Sequence, residues 1–139
     1  MAVFDVISVD WGSKRSGIAF GSTENGLVIP YSFKLLTKDI FVILTNEVNN
    51  RKTQQFIVGY PTTFFGEKTT ISVYIEEFIS ELALAFPKIK ITTVDERNSS
   101  KLSRGLIGKS EKHSINHQSA CEILKWYLQE INLHKNTFD

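Results

Sequence analysis

Apolar positions change their spacing along the chain, and each change marks an element. Val3 to Val9 is β-branched and apolar-rich and stops at Asp10, the pattern of a strand buried on both faces. Apolar runs over Arg15 to Phe20 and Leu27 to Leu36 follow, separated by Asn25-Gly26, and Asn-Gly between two such runs favours a hairpin turn. The first third therefore reads as a three-stranded antiparallel meander. From Thr37, a residue suited to cap a helix, Ile40, Phe41, Ile43, Leu44 and Val48 recur at helical spacing as far as Asn49-Asn50. Phe56 to Tyr60 is a short buried strand ending at Pro61. Ile71, Tyr74, Ile75, Phe78, Ile79, Leu82 and Phe86 make one apolar stripe closed by Pro87, which predicts a second helix. Ile89 to Val94 is a further strand running into Asp95-Glu96-Arg97. A last long helix starts near Ser114, with Ile115, Ala120, Ile123, Leu124, Tyr127, Leu128 and Ile131 on its buried side.

Strands that give way to alternating helix and strand specify an α/β domain. The expected sheet is mixed and five-stranded, an antiparallel meander joined to parallel strands through helical crossovers, with flanking helices. No linker, repeat or low-complexity tract divides residues 1–139, and the 3 prolines are scattered, so a single domain is expected. With 42% hydrophobic residues the chain can build a core, which excludes disorder as its main state. The 16 Lys and Arg against 15 Asp and Glu give a net charge of +1, so any affinity for a polyanion must come from a local patch. A single cysteine, Cys121, supports neither an internal disulfide nor a thiolate metal site and suits a reducing compartment. Met1 to Asp10 carries no basic leader, and no apolar run approaches the roughly 20 residues of a membrane span. A cytoplasmic protein with no membrane contact is expected.

In such sheets chemistry collects at the carboxyl ends of parallel strands. Asp10, Tyr60-Pro61 and Asp95-Glu96-Arg97 all fall there. A carboxylate closing a buried strand is costly unless it is paired, hydrogen-bonded or bound to a cation. Asp10 could cap the following turn through Ser13, or it could hold a metal. If the first and last strands lie side by side, Asp10 and Glu96 converge into a hard-cation site for Mg²⁺ or Mn²⁺. Glu96 could instead pair with Arg97 or Lys101. The segment from 97 to 113 supplies a local charge excess, Arg97, Lys101, Arg104, Lys109 and Lys112 against Glu111, and its Gly105 and Gly108 suit a loop gripping a phosphate backbone. Gly105 to Ser110 has the wrong spacing for a P-loop. His113, His117 and His134 have neither a nucleophile partner nor metalloprotease spacing and read as surface or phosphate-contact residues. Trp126 and Tyr127 read as core or rim aromatics.

Four blocks, taken in order, resemble one family. They are Val9-Asp10-Trp11-Gly12-Ser13-Lys14-Arg15-Ser16-Gly17-Ile18-Ala19; Ile57-Val58-Gly59-Tyr60-Pro61 with Gly66; Val94-Asp95-Glu96-Arg97-Asn98-Ser99-Ser100; and Ile115-Asn116-His117-Gln118-Ser119-Ala120 with Ile123-Leu124 and Tyr127-Leu128. Together they are similar to the YqgF (RuvX) family of nuclease-like proteins over about Val6 to Leu128. The first block alone also resembles actin-like phosphotransferases, but one lobe of this size cannot close on a nucleotide. The resemblance implies a ribonuclease H-like fold related to the Holliday junction resolvases. It further implies a divalent-metal-dependent endonuclease maturing the 5′ end of precursor 16S rRNA, with two Mg²⁺ or Mn²⁺ ions activating water for in-line attack on a phosphodiester.

By position, Asp10 and Glu96 are the expected catalytic metal ligands. Asn116 stands where the family usually has a third carboxylate, at the start of the last helix. It can ligate through its carbonyl oxygen but brings one negative charge fewer, which weakens metal binding. Neither His117 turning inward nor Asp95 joining the site is supported by the spacing, because adjacent strand residues face opposite ways. Lys14, Arg15, Tyr60, Arg97, Lys101, Arg104 and Lys109 are the expected substrate contacts. The partner is structured RNA, or branched DNA if the protein resolves junctions, and the expected state is a monomer or weak homodimer. Symmetric junction cutting would require paired sites. A catalytically weak nucleic-acid-binding protein is the further alternative that Asn116 opens.

Overall fold

β-branched and aromatic runs form the strands, and the 3.6-residue stripes form the helices. The computed structural model describes residues 4–61, 70–95 and 112–137. Strands β1 (Val6–Asp10), β2 (Gly17–Gly21) and β3 (Val28–Pro30) make the antiparallel meander. A 3₁₀ turn over Thr37–Asp39 leads into α1 (Ile40–Arg51), followed by β4 (Gln55–Tyr60), α2 (Thr70–Ala85), β5 (Lys90–Asp95) and α3 (Lys112–Thr137). β4 runs parallel to β1, and β5 runs parallel to β4. The mixed five-stranded sheet has the order β3-β2-β1-β4-β5.

That order corrects one expectation. The first and last strands are not neighbours, because β4 lies between them. Each helical crossover lays the next parallel strand outside the previous one, so α1 delivers β4 beside β1 and α2 delivers β5 beyond it.

The two faces of the sheet carry separate cores. Ile7, Val9, Ile18, Phe20, Phe56 and Val58 pack with Ile40 and Leu44 of α1 and Ile75, Phe78 and Leu82 of α2. Val6, Ala19, Ile57 and Val94 pack on Ala120, Ile123, Leu124 and Leu128 of α3. Period-two alternation along each strand sorts the side chains between these layers.

Three local expectations change. Thr37 does not cap α1 with its side chain: its hydroxyl donates to the Gly12 carbonyl at 2.6 Å and meets Ser16 Oγ at 2.7 Å, tying the helix entry to the turn after β1. α1 passes Asn49-Asn50 and ends at Arg51, with Lys52 in the left-handed conformation (φ 55) closing it. The strand expected over Leu27 to Leu36 stops at Pro30. The chain rejoins β2 only at Leu35, which accepts from Ser16 N–H at 3.1 Å, and at Leu36, bridged to Arg15.

Candidate active site

The site is built where the central strand ends. Asp10 is the last residue of β1 and is 3% exposed. Alternation places its side chain on the α3 face with Val6 and Ser8, the last of which fixes that assignment by donating from Oγ to the Ala120 carbonyl at 2.7 Å. Two residues along β1 from Ser8 is Asp10, and one helical turn back from Ala120 is Asn116.

A glycine sets how closely the helix approaches. Gly17 is the ladder partner of Asp10, and a Cβ at Gly17 would overlap the Asn116 carbonyl. The backbone at Asn116 therefore rests directly on β2, level with Asp10. Further along the same strip a Cβ at Gly21 would lie 2.7 Å from Leu124 Cδ2. Gly17, Ala19 and Gly21 thus form a low track on which α3 lies.

The turn after Asp10 is braced by neutral groups. Gly12 N–H donates to Ser16 Oγ at 3.1 Å, and a Cβ at Gly12 would overlap the Arg15 carbonyl. Ser16 and Thr37 close this turn, the role considered for Asp10 and Ser13 from the sequence. The buried Asp10 carboxylate lies on the α3 side of the strand end.

His117 is a correction. It is neither a surface residue nor a phosphate contact: at 5% exposure it joins three elements. Its Nδ1 accepts from Ile18 N–H at 3.1 Å, and its Nε2 pairs with the Phe33 carbonyl at 2.7 Å. Acceptance at Nδ1 requires the Nε2–H tautomer, so Nε2 donates to Phe33. The ring docks the start of α3 onto β2 and leaves no nitrogen for a cation.

The other expected residues fall as follows. Lys14 is exposed and Arg15 half-buried in the turn joining β1 to β2. Tyr60 ends β4, its ring packed against the α1/α2 layer and its hydroxyl donating to Glu76 of α2 at 2.8 Å. Asp95 is paired in register with Tyr60, whereas Val94 faces α3. Glu96, Arg97, Lys101, Arg104 and Lys109 lie outside the described residues, as do the side chains of Lys112, His113 and His134. Among the described residues no three His, Cys, Asp or Glu side chains gather into a metal-binding group. Trp126 and Tyr127 are rim aromatics as expected, and Gln55 Nε2 donates to the Tyr127 hydroxyl at 2.9 Å. Cys121 is buried; desolvation pushes its thiol pKa up, Lys125 pulls against that shift and Glu122 adds to it. Sequence reading missed Ser8 and Gly17 as site-building residues. The signal for Gly17 was the strict small-large alternation Gly17-Ile18-Ala19-Phe20-Gly21; for Ser8 it was a lone hydroxyl within the apolar run Val6 to Val9.

A mixed sheet of order β3-β2-β1-β4-β5, with a buried carboxylate closing its central strand and the last helix docked beside it, defines a ribonuclease H-like domain. The model of the family RuvX, described as Holliday junction resolvase, matches residues 5–130, and the chain belongs to that family. It is 30% identical over 132 residues to a protein of Chlorobium phaeobacteroides (strain BS1), covering 89% of this chain and 91% of that one. It is 30% identical to one of Porphyromonas gingivalis, covering 88% and 94%, and 30% identical to one of Sulfurihydrogenibium sp., covering 91% and 91%. All three relatives bear the name "Putative pre-16S rRNA nuclease". Among the described residues no helix is long and apolar enough to cross a membrane.

Proposed function

We propose that this protein is a divalent-metal-dependent endonuclease that hydrolyses phosphodiester bonds in structured RNA, in the 5′-end processing of precursor 16S rRNA. The observation that carries this reading is the Asp10 carboxylate, 3% exposed at the end of the central strand, level with the start of α3. A buried carboxylate is stabilised by a cation, and the relatives' names supply the substrate class.

The donor chemistry fits a hard ion. Asp10 and Glu96 offer carboxylate oxygens, and Asn116 offers a neutral carbonyl oxygen, the set that Mg²⁺ and Mn²⁺ prefer. Two bound ions would activate the attacking water and stabilise the leaving oxygen. The chain's own residues hold and orient the substrate. Lys14 and Arg15 reach phosphates from the turn beside Asp10, and Arg97, Lys101, Arg104 and Lys109 supply the basic contacts. Tyr60, its hydroxyl donating to Glu76 and its ring packed in the α1/α2 layer, acts from the end of β4 rather than from the face that carries Asp10. The protein acts in the cytoplasm, as a monomer or weak homodimer.

Cleavage of a precursor 16S rRNA fragment with Mn²⁺ tests this reading. Asp10→Asn should lose more than roughly 100-fold in rate, beyond the loss typical of a residue that only orients a ligand. Equal cleavage by both proteins would sink the assignment. Asn116 motivates a second reading, a nucleic-acid-binding protein with weak catalysis. Asn116→Asp restores a charge to the ligand set, so a marked gain in Mn²⁺-dependent cleavage would show the rest of the site to be intact. No gain would favour the binding role. A four-way DNA junction in parallel reactions separates RNA processing from junction resolution.

A further inference from the structure

The β2–β3 ladder ends in an unusual way. Ile18 and Tyr31 would normally exchange two hydrogen bonds, yet only one forms: Tyr31 N–H donates to the Ile18 carbonyl at 3.1 Å. The Ile18 N–H goes to the His117 ring instead. Before the chain rejoins β2 at Leu36 the register slips by two residues, and the surplus bulges out over Ser32 to Lys34. Phe33 stands on this bulge, 69% exposed.

An aromatic ring so exposed usually belongs to a loose loop. This one is held: the buried His117 pins its carbonyl at 2.7 Å, and its ring meets the Tyr31 ring edge-on at 5.7 Å. From beside it a groove of about 390 Å³ runs along α3, lined among others by Tyr31, Ser32, Gln118 and Lys125. Among the described residues Lys125 is the groove's one charged side chain and no carboxylate lines it, and Lys34 is exposed next to Phe33. A second cavity, of about 300 Å³, is lined by the stacked pair Trp11 and Tyr74, but Glu77 and Glu81 outweigh Lys38 there and leave it acidic, which disfavours phosphates. Of these two, the α3 groove is the one that suits a polyanion. It also starts at His117, the neighbour of Asn116.

We propose that this groove binds an unpaired nucleotide flanking the scissile phosphate, with its base stacked on Phe33 and its backbone drawn to Lys34 and Lys125. The proposal rests on the nuclease reading for where the scissile phosphate lies. A base offers a flat face whatever its identity, so an aromatic platform beside a cationic groove holds single strands without reading sequence. The bulge supplies the rigidity that such a platform needs, because the ring is positioned before the substrate arrives.

The test separates binding from cleavage. Anisotropy of a labelled single-stranded RNA hexamer, measured without divalent ions, should weaken roughly tenfold for Phe33→Ala and be kept by Phe33→Trp. Melting temperature should be unchanged for both, since the ring is exposed. A hexamer abasic at all positions should bind wild type and Phe33→Ala alike. The same loss with single-stranded DNA would show that the platform reads the base rather than the sugar. Wild-type affinity in Phe33→Ala, or no hexamer binding by the wild type, would overturn the proposal. Asp10-dependent cleavage of the precursor, scored separately, decides the nuclease reading: a Phe33 effect on binding without it leaves the groove standing and the nuclease reading fallen.

Discussion

On β2 the two faces of the sheet can be compared residue by residue. Ile18 and Phe20 point into the α1/α2 layer, where they meet large apolar side chains. Gly17, Ala19 and Gly21 point toward α3 and present almost no side chain. β1 repeats the contrast, with Ile7 and Val9 on one side and Val6, Ser8 and Asp10 on the other. One face therefore contributes stability through burial, and the other trades bulk for close approach of a helix and room for polar groups. The buried carboxylate of Asp10 lies on the second face, where hydrogen-bonding groups and the start of a helix can surround it, whereas Asp95, at the end of β5 on the first face, is only half-buried.

If the faces divide the work in this way, substitutions on them should separate stability from activity. The largest loss of stability is expected at Phe56, fully buried against α1 and α2 with its ring edge-on to Phe86 at 5.3 Å. Phe56→Ala should cost about 3–5 kcal/mol in urea unfolding. Cleavage per folded molecule should hardly change, because the cavity opens on the face away from Asp10. A loss of cleavage matching that of Asp10→Asn would break the division.

His117→Ala should come next. It strands the Ile18 N–H and deprives the Phe33 carbonyl of its donor. The first group is buried; the second sits on the exposed bulge and can be rehydrated. A cost of about 2–3 kcal/mol follows, nearer to one unsatisfied group plus a cavity than to two. Unlike Phe56→Ala, this change should also weaken binding of single strands, since the bulge loses its anchor. Urea unfolding and hexamer anisotropy on the same preparation check both parts.

How far the sequence announced these features varies with the kind of interaction. The meander, the crossover helices and the strand end at Asp10 were legible because hydrophobic period and turn residues are local. Strand order was not legible at the point that mattered, since apolar patterning does not say whether β4 or β5 lies beside β1. Thr37 and His117 were misread for a related reason. A hydroxyl before a helix and a histidine at a helix start have common local uses, but here both are satisfied by residues distant in sequence: Gly12 for Thr37, Ile18 and Phe33 for His117. The candidate site was read from motif positions, and of its proposed ligands the described residues locate Asp10 and Asn116.

Gly17→Ala puts the comparison to a finer test. The added methyl would overlap the Asn116 carbonyl, which is helix backbone and cannot swing aside like a side chain. Overpacking of this kind costs about 1–3 kcal/mol. The start of α3 must move away from Asp10, so cleavage should fall more than stability does, the reverse of Phe56→Ala. Stability lost with cleavage per folded molecule retained would mean that the approach of α3 serves packing alone.

Ser8→Ala is the smallest change on the same face. It deletes the 2.7 Å hydrogen bond to the Ala120 carbonyl but keeps the Cβ, so no cavity opens. Ala120 lies within α3, where its carbonyl can still accept from the helix's own N–H four residues on. The loss is then that of one buried bond with a partly compensated acceptor, about 1 kcal/mol. Because the track of Gly17, Ala19 and Gly21 still seats the helix, Asn116 should keep its level and cleavage should change less than about threefold, under 0.7 kcal/mol in the barrier. A tenfold fall in cleavage at that small cost in stability would show the Ser8 hydroxyl, and not the glycine track, to be what sets the helix against Asp10.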